Sequence, residues 1–360
     1  MTRRVRTVLG GTMVLVLVPA FSAAAAQAAT KTVDAGLPTA AQKQFQKTGS
    51  DVNDFFPHKV TIHVGDTVKF APTSFHTIDL PGKRTSKLPI FTPTGQPVSG
   101  SLDAAGAPFW FNGQPAIGFN PVLLKSAFGK SRTYTGSKAV LSGLPLANKP
   151  KPMSVKFTKT GTFRYFCDVH PGMTGIVKVV SASKSVPSTK ADQATVKKQA
   201  ATDLKTAKSL PGGPAPPANT IDIGRQGKGN VSLFAFLPAN LTVPRGTTVT
   251  FRENAKSEVH TGTTGPGNPE SQPTSYLGQI EAGLAGAVLD PRGIYPSDPP
   301  GALAALTPVL HGNGFWNSGA LDLDPSSPNG QTNAVTFAAP GTYQFFCMIH
   351  PFMHGTVTVT

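Results

Sequence analysis

The stretch Tyr165–Val179, YFCDVHPGMTGIVKV, places Cys167, His170 and Met173 three residues apart, between an aromatic run and a run of alternating apolar residues. The same three residue types recur at the same spacing in FFCMIHPFMHGTVTV, residues Phe345–Val359. Apolar and polar residues alternate after each loop, which predicts a strand, a short loop and a second strand. Each loop is therefore predicted to bring a thiol, an imidazole and a thioether to one place.

The two stretches belong to an internal repeat. Residues 155–179 and 335–359 are identical at 12 of 25 positions under a constant offset of 180. Upstream, FPHKVTIHVGDTVKF, which ends at Phe70, parallels LPANLTVPRGTTVTF, which ends at Phe251. A duplicated module accounts for both matches. We therefore divide the chain into modules at residues 30–184 and 221–360, joined by a linker at residues 185–220.

The composition of the modules favours β structure. The chain has 34 Pro and 37 Gly, and its short alternating runs are separated by turn residues. We expect an all-β protein of two Greek-key β-sandwich domains. The linker is rich in Lys, Ala and Pro, and we expect a short helix over residues 191–210 within it.

The first 29 residues have the pattern of a secretory signal peptide. Arg3, Arg4 and Arg6 precede an apolar run, and small residues follow at Ala26–Ala28. A permanent anchor is the alternative, but the apolar run is short, and the rest of the chain lacks a stretch long enough to span a bilayer. We expect a secreted or extracytoplasmic protein of the bacterial periplasm or cell envelope.

The two cysteines, Cys167 and Cys347, are more informative as metal ligands than as a pair. An exported protein with an even cysteine count suggests a disulfide, but a disulfide does not account for the His and Met that follow each cysteine. Thiolate, imidazole and a weak thioether form the ligand set of a blue-copper site, whereas zinc would not need the thioether. A second imidazole is available in each module, because His76 and His260 follow the upstream repeat strands.

The loops resemble those of the cupredoxins, the plastocyanin/azurin superfamily, and the Cys-x-x-His-Pro-x-Met loop is most similar to that of amicyanin. The resemblance implies two type 1 copper sites, formed by His76, Cys167, His170 and Met173 and by His260, Cys347, His350 and Met353. It implies that the backbone amides of Thr77 and Thr261, where the family commonly has Asn, help to hold the thiolates. It also implies that His170 and His350 are the ligands nearest to solvent, where electrons enter and leave.

The other histidines argue against an enzyme. Copper oxidases and nitrite reductases built from similar domains place a His directly beside the copper Cys, whereas Phe166 and Asp168 flank Cys167 here. Four histidines remain after the expected ligands, and only the first two are close in sequence: His58, His63, His311 and His354. We therefore expect no catalytic centre.

Long insertions separate the first histidine of each module from its cysteine, 91 residues in one and 87 in the other. They contain Trp110 and Trp316, which either form a docking surface near the metal or simply cover the sandwich.

The charge distribution suggests partners. The chain has a formal net charge of +15, and residues 30–184 carry 19 basic and 7 acidic side chains against 6 and 9 in residues 221–360. We expect acidic redox protein partners or an anionic cell envelope, and no nucleic acid. The predicted function is single-electron transport by two coppers. The alternative functions are copper storage or delivery in the envelope, and an envelope-binding module with secondary copper sites.

Overall fold

The computed structural model describes residues 1–2, 28–324 and 330–360, so the expected signal sequence lies almost entirely outside the described residues. The described chain is mostly β, as predicted, with several separate sheets. The division into two domains stays a prediction.

The strands up to residue 180 are β1 (Thr30–Ala35), β2 (Ser50–Val52), β3 (Phe55–Phe56), β4 (Lys59–His63), β5 (Thr67–Pro72), β6 (Asp79–Leu80), β7 (Phe91–Pro97), β8 (Pro115–Phe119), β9 (Ser131–Tyr134), β10 (Val140–Leu141), β11 (Met153–Phe157), β12 (Gly161–Phe166) and β13 (Thr174–Val180). The strands from residue 220 onward are β14 (Thr220–Gln226), β15 (Val231–Leu237), β16 (Asn240–Val243), β17 (Thr248–Glu253), β18 (Val259–His260), β19 (Thr263–Thr264), β20 (Ala304–Leu306), β21 (Trp316–Asn317), β22 (Leu321–Asp322), β23 (Thr332–Phe337), β24 (Gly341–Phe346) and β25 (His354–Val359). The helices are α1 (Thr39–Gln46), α2 (Thr189–Ser209), α3 (Tyr276–Gly283) and α4 (Pro291–Ile294).

Two five-stranded sheets form the body of the first half, in the orders β3-β1-β5-β11-β9 and β10-β6-β12-β13-β4. Alternate residues of both sheets point into one hydrophobic core, as the period of two in a β-strand requires. Phe70 from one sheet and Tyr165 from the other are both fully buried there, with ring centroids 5.1 Å apart. Cys167 and Met173 belong to the same buried cluster, so the metal-ligand loop is anchored in the core.

The second half repeats this plan with a six-stranded sheet, β2-β15-β14-β17-β23-β20, and a five-stranded one, β16-β25-β24-β19-β21. Phe251 and Phe345 pack 4.6 Å apart in its core, with Cys347 and Met353 in the same cluster. One strand crosses between the halves, because β2 pairs antiparallel with β15.

The helix expected over residues 191–210 is present as α2, which begins two residues after Pro187 and is capped by Ser188, whose hydroxyl accepts from the Ala191 amide. It is not a free spacer. Ala207 is fully buried in a cluster that also contains Phe45 of α1 and Val231 of β15, so the linker packs against both halves.

The insertion of the first half packs onto the second half. Phe109 and Phe111, which lie between β7 and β8, share a hydrophobic cluster with Phe315, Phe346 and Met348. Other contacts across the same boundary run from Trp110 Nε1 to Pro296 O at 2.8 Å and from Tyr295 Oη to Pro115 O at 2.7 Å. Trp316 is buried in the second core. Among the described residues, no helix combines the length and apolarity needed to cross a membrane.

Candidate metal centre

Both ligand loops close in the same way at the end of a β-hairpin. β12 pairs with β13 and β24 with β25, each hairpin with the same register around its loop. The Cys167 amide donates to Met173 O at 3.0 Å, and the Met173 amide donates to His170 O at 3.2 Å. In the second loop the corresponding distances, from the amides of Cys347 and Met353, are 3.1 Å and 2.8 Å. The backbone thus brings each Cys, His and Met to one side of its hairpin.

In the first half the predicted ligands converge. Nδ1 of His76 lies 2.9 Å from Nδ1 of His170, and Cys167 Sγ lies 3.8 Å and 3.7 Å from these two nitrogens. Within the part of the chain that the structure describes, this is the one group of three potential metal-ligating residues whose atoms all lie within 4.8 Å of one another. Met173 is buried beside them. The donor set of one thiol and two imidazoles, with a thioether nearby, therefore fits a soft transition metal.

Burial determines the protonation of this group. It lowers the pKa of His76 to about 3 and, together with the neighbouring His76, lowers the pKa of His170 well below its usual value. Both imidazoles are therefore neutral at pH 7, so each has a lone pair for a metal. Burial also raises the pKa of the Cys167 thiol, partly offset by the hydrogen bond from the Thr77 amide. The thiol is therefore protonated until a metal replaces its proton.

Thr77 braces the cysteine in the first half. Its backbone amide lies 3.4 Å from Cys167 Sγ, as the family resemblance implied. Its hydroxyl accepts from the Asp168 amide at 2.7 Å and lies 3.1 Å from the Asp168 carboxylate. The side chain thus fixes the residue that follows the cysteine, a role that the sequence alone did not reveal.

The second half assembles the same residues with one histidine turned differently. Cys347 Sγ lies 3.8 Å from His350 Nδ1, and the Thr261 amide lies 3.4 Å from the sulfur. His260 is close to His350, with ring centroids 5.0 Å apart, but its Nδ1 lies 2.8 Å from the Glu253 carboxylate. Its Nε2 is buried and has no hydrogen-bond partner among the described residues.

The Glu253–His260 pair is a carboxylate–imidazole arrangement of the kind that orients metal-binding histidines. Burial lowers the pKa of His260 to about 3, so the ring is neutral. Burial also raises the pKa of Glu253 well above its usual value. In the tautomer in which the ring donates its Nδ1 proton to Glu253, Nε2 is the nitrogen with a free lone pair. Burial raises the pKa of the Cys347 thiol to about 11. The second set of expected ligands therefore offers a thiol and imidazole nitrogens, but these atoms do not converge on one point as they do in the first half.

The two loop histidines face each other across the boundary between the halves. Their Nδ1 atoms point to their own cysteines, whereas Nε2 of His170 and Nε2 of His350 each lie 3.8 Å from the same oxygen, Oε2 of Glu258. Only 13% and 20% of the two imidazole side chains are exposed, and only 2% of the Glu258 side chain. His170 and His350 are thus more exposed than the other expected ligands, which are at most 1% exposed, but they meet in a shared, largely enclosed site.

Two clefts lead to this meeting point. One, of about 420 Å³, is lined mainly by apolar residues that include Phe75, Val169 and Ile349. The other, of about 610 Å³, is lined by residues that include Phe234 and Phe352. Phe352 is 53% exposed. The histidine edges are therefore reached from outside through one mainly apolar cleft and one with mixed polar and aromatic walls.

Comparison with known proteins points to the same chemistry. The family of copper-binding proteins of the plastocyanin/azurin type matches residues 318–360, which contain Cys347, His350 and Met353. No curated protein matches the chain.

Among solved structures, a purple cupredoxin from Nitrosopumilus maritimus is 20% identical over 39% of this chain and 98% of its own, with a TM-score of 0.20. The oxidised plastocyanin of Dryopteris crassirhizoma is 21% identical over 39% and 99%, with a TM-score of 0.21. A variant of amicyanin in its oxidised state is 18% identical over 39% and 80%, with a TM-score of 0.20.

Proposed function

We propose that the protein is a blue-copper electron carrier that binds one copper in each half, and that it is not an enzyme. The observation that carries this proposal is the convergence of His76, Cys167 and His170 beside the buried Met173. The second copper would be held by His260, Cys347, His350 and Met353, and the family match over residues 318–360 supports the three of these that lie on the loop.

Bound copper would supply a reversible one-electron couple. The chain supplies a site that changes little when the charge changes. The ligands of the first half are attached to a paired hairpin and to a packed core, so they cannot rearrange freely. Burial excludes water, and the Thr77 amide lies within reach of the sulfur. In the second half Glu253 fixes the orientation of His260.

Metal content and colour test the proposal. We expect copper-loaded protein to contain about two coppers per chain and to show an intense thiolate-to-copper band in the visible. Cys167→Ser should remove one centre and Cys347→Ser the other, because each cysteine contacts the loop histidine of its own half. Each variant is the control for the other. A colourless copper-loaded protein, or loss of both centres in either variant, would contradict the proposal.

Storage or delivery of copper gives a different result in the same preparation. A carrier should keep its metal through repeated oxidation and reduction, whereas a delivery protein should transfer copper readily to an acceptor chelator. Export from the cytoplasm, and an acidic redox partner or anionic envelope for the basic first half, are parts of the proposal that rest on the sequence.

A further inference from the structure

The contact of Glu258 with both loop histidines joins the two candidate centres. Its Oε2 lies 3.8 Å from Nε2 of His170 and 3.8 Å from Nε2 of His350. The two Nε2 atoms can therefore be no further apart than twice that distance. Since the opposite side of each ring faces its cysteine, the path from Cys167 to Cys347 crosses only two imidazoles and one carboxylate.

Glu258 is positioned for this contact from both sides. Asn53, in the first half, donates its Nδ2 to Oε1 of Glu258 and to Oγ of Ser257. This leaves Oε2 directed at the two rings. Asn53 is itself fixed by two hydrogen bonds with Asn230, next to the pairing of β2 and β15: its amide donates to Asn230 O, and Nδ2 of Asn230 donates to Asn53 O. The carboxyl group of Glu258 is therefore held in place by hydrogen bonds from the first half.

Comparison of the two repeats shows that only the second half carries this glutamate. His260 follows Phe251 by nine residues, whereas His76 follows Phe70 by only six. Two residues before each histidine, the second half has Glu258 and the first half has Ser74. The longer loop thus carries a carboxylate into the boundary, where the first half has no equivalent.

We propose that Glu258 couples the two centres, so that the chain works as a two-centre relay and not as two independent carriers. With copper bound in both halves, one electron would pass between the centres by way of the two imidazole edges and the carboxyl group of Glu258. One centre would be oxidised by one electron and the other reduced by one, so that no bond would change and no further reactant would be needed. This inference rests on the proposed function.

The contact is close enough to respond to small movements. A separation of 3.8 Å is longer than a hydrogen bond, and a shift of about 1 Å or less would bring either Nε2–H within bonding distance of the carboxylate. With Nδ1 bound to a metal beside the cysteine, the proton of each neutral ring would be on Nε2. Glu258 can thus hold both rings in the same tautomer, as the acceptor that outer partners of metal-binding histidines usually provide.

The first test uses metal-free protein. Glu258→Gln should shift the Nε2 resonances of His170 and His350 in ¹⁵N–¹H spectra, because it replaces the carboxyl group that faces both rings by an amide. Glu281→Gln is the matched control, since Glu281 lines the same cleft. If Glu258→Gln leaves both resonances unchanged, or Glu281→Gln shifts them equally, the proposed contact of Glu258 with both histidines is wrong.

The second test measures the relay. In a copper-loaded Met353→Gln background, the loss of the thioether ligand would separate the second centre from the first in spectrum and potential. After a one-electron pulse, we expect equilibration between the centres to slow by about 10- to 100-fold in Glu258→Gln, and Glu258→Asp, which withdraws the carboxylate, should behave similarly. Unchanged equilibration in Glu258→Gln, or a wild-type rate in Glu258→Asp, would overturn the coupling. Failure to bind two coppers would instead refute the proposed function, and the metal-free test would still decide whether Glu258 contacts both histidines.

Discussion

In the first half, Nδ1 of His76 meets Nδ1 of His170 beside Cys167, at 2.9 Å. In the second half, Nδ1 of His260 meets the Glu253 carboxylate instead, at 2.8 Å. The strand register explains the difference. Pro72 pairs with Ala35 at the end of β5, and Glu253 pairs with Ile223 at the end of β17, so proline occupies the place of the carboxylate in the first half. Identical ligand types at identical loop spacing therefore produce two sites with different histidine orientations.

The two halves are also supported by different observations. The family match covers the second loop, residues 318–360, whereas the converged geometry is in the first. Since the two hairpins share their register, the difference comes from the histidine that arrives from outside the hairpin. Experiments on the surroundings of His76 and His260 therefore test the comparison most directly.

The largest effect is expected from filling the space beside these histidines. Gly36 and Gly224 follow the paired residues Ala35 and Ile223. A Cβ at Gly36 would lie 2.7 Å from His76 Cδ2, and a Cβ at Gly224 would lie 2.8 Å from His260 Cε1. We expect Gly36→Ala to abolish copper binding in the first half and Gly224→Ala in the second, as measured by metal content in the Cys347→Ser and Cys167→Ser backgrounds respectively.

The repeat provides matched controls for this experiment. Gly65 and Gly246 also have positive φ, +94° and +84°, but a Cβ at either would meet nothing within 4 Å. Gly65→Ala and Gly246→Ala should each destabilise the fold by about 1–3 kcal/mol through backbone strain alone, with copper content unchanged. If these controls lost copper as fully as Gly36→Ala and Gly224→Ala, contact with the imidazoles would not be the cause.

A smaller effect is expected from removing the carboxylate that only the second half has. In the Cys167→Ser background, Glu253→Ala should weaken copper binding at the second centre by about 10- to 100-fold, because His260 loses the partner that orients it. Competition with a copper chelator measures this change. Glu270→Ala, an exposed position in the same half, is the control, and an unchanged affinity in Glu253→Ala would show that the pair does not serve the metal.

The sequence predicts much of this arrangement because the decisive signals are local. The hairpins and the convergence of Cys167 with His170 follow from ligands that are only three residues apart in the chain. The helix α2 follows from a segment rich in Ala and Lys. The orientation of His260 does not follow, since it depends on Glu253, seven residues away and brought close by the end of a strand. The sequence pattern indicates that an imidazole is available. It does not indicate which ring nitrogen faces the cysteine.

The contact between the two halves cannot be predicted from the sequence, for a related reason. His170, Glu258 and His350 are about 90 residues apart in the chain, and their meeting depends on how two sets of sheets pack. The crossing strand β2 and the cluster around Phe109 and Phe346 fix that packing. No periodicity links these segments. A lone Glu two residues before a histidine gives no signal until the packing is known.

The smallest effect concerns the threonines, which distinguish the halves by their neighbours. The Thr77 hydroxyl contacts both the amide and the carboxylate of Asp168, whereas the Thr261 hydroxyl accepts from the Met348 amide at 2.8 Å and contacts Thr263. Replacing either by Val leaves a buried amide without its acceptor, which costs about 1–3 kcal/mol, and more where a carboxylate also loses its donor. We therefore expect Thr77→Val to lower the free energy of unfolding of the metal-free protein more than Thr261→Val does.

Copper content should stay unchanged in both variants, because the backbone amide at each position still faces the sulfur at 3.4 Å. Thr77→Ser and Thr261→Ser retain the hydroxyl and should recover most of the stability in urea titrations. Equal losses in the two valine variants would mean that the Asp168 carboxylate adds nothing to the first half. Loss of copper in either would mean that the side chain, and not only the amide, positions the cysteine.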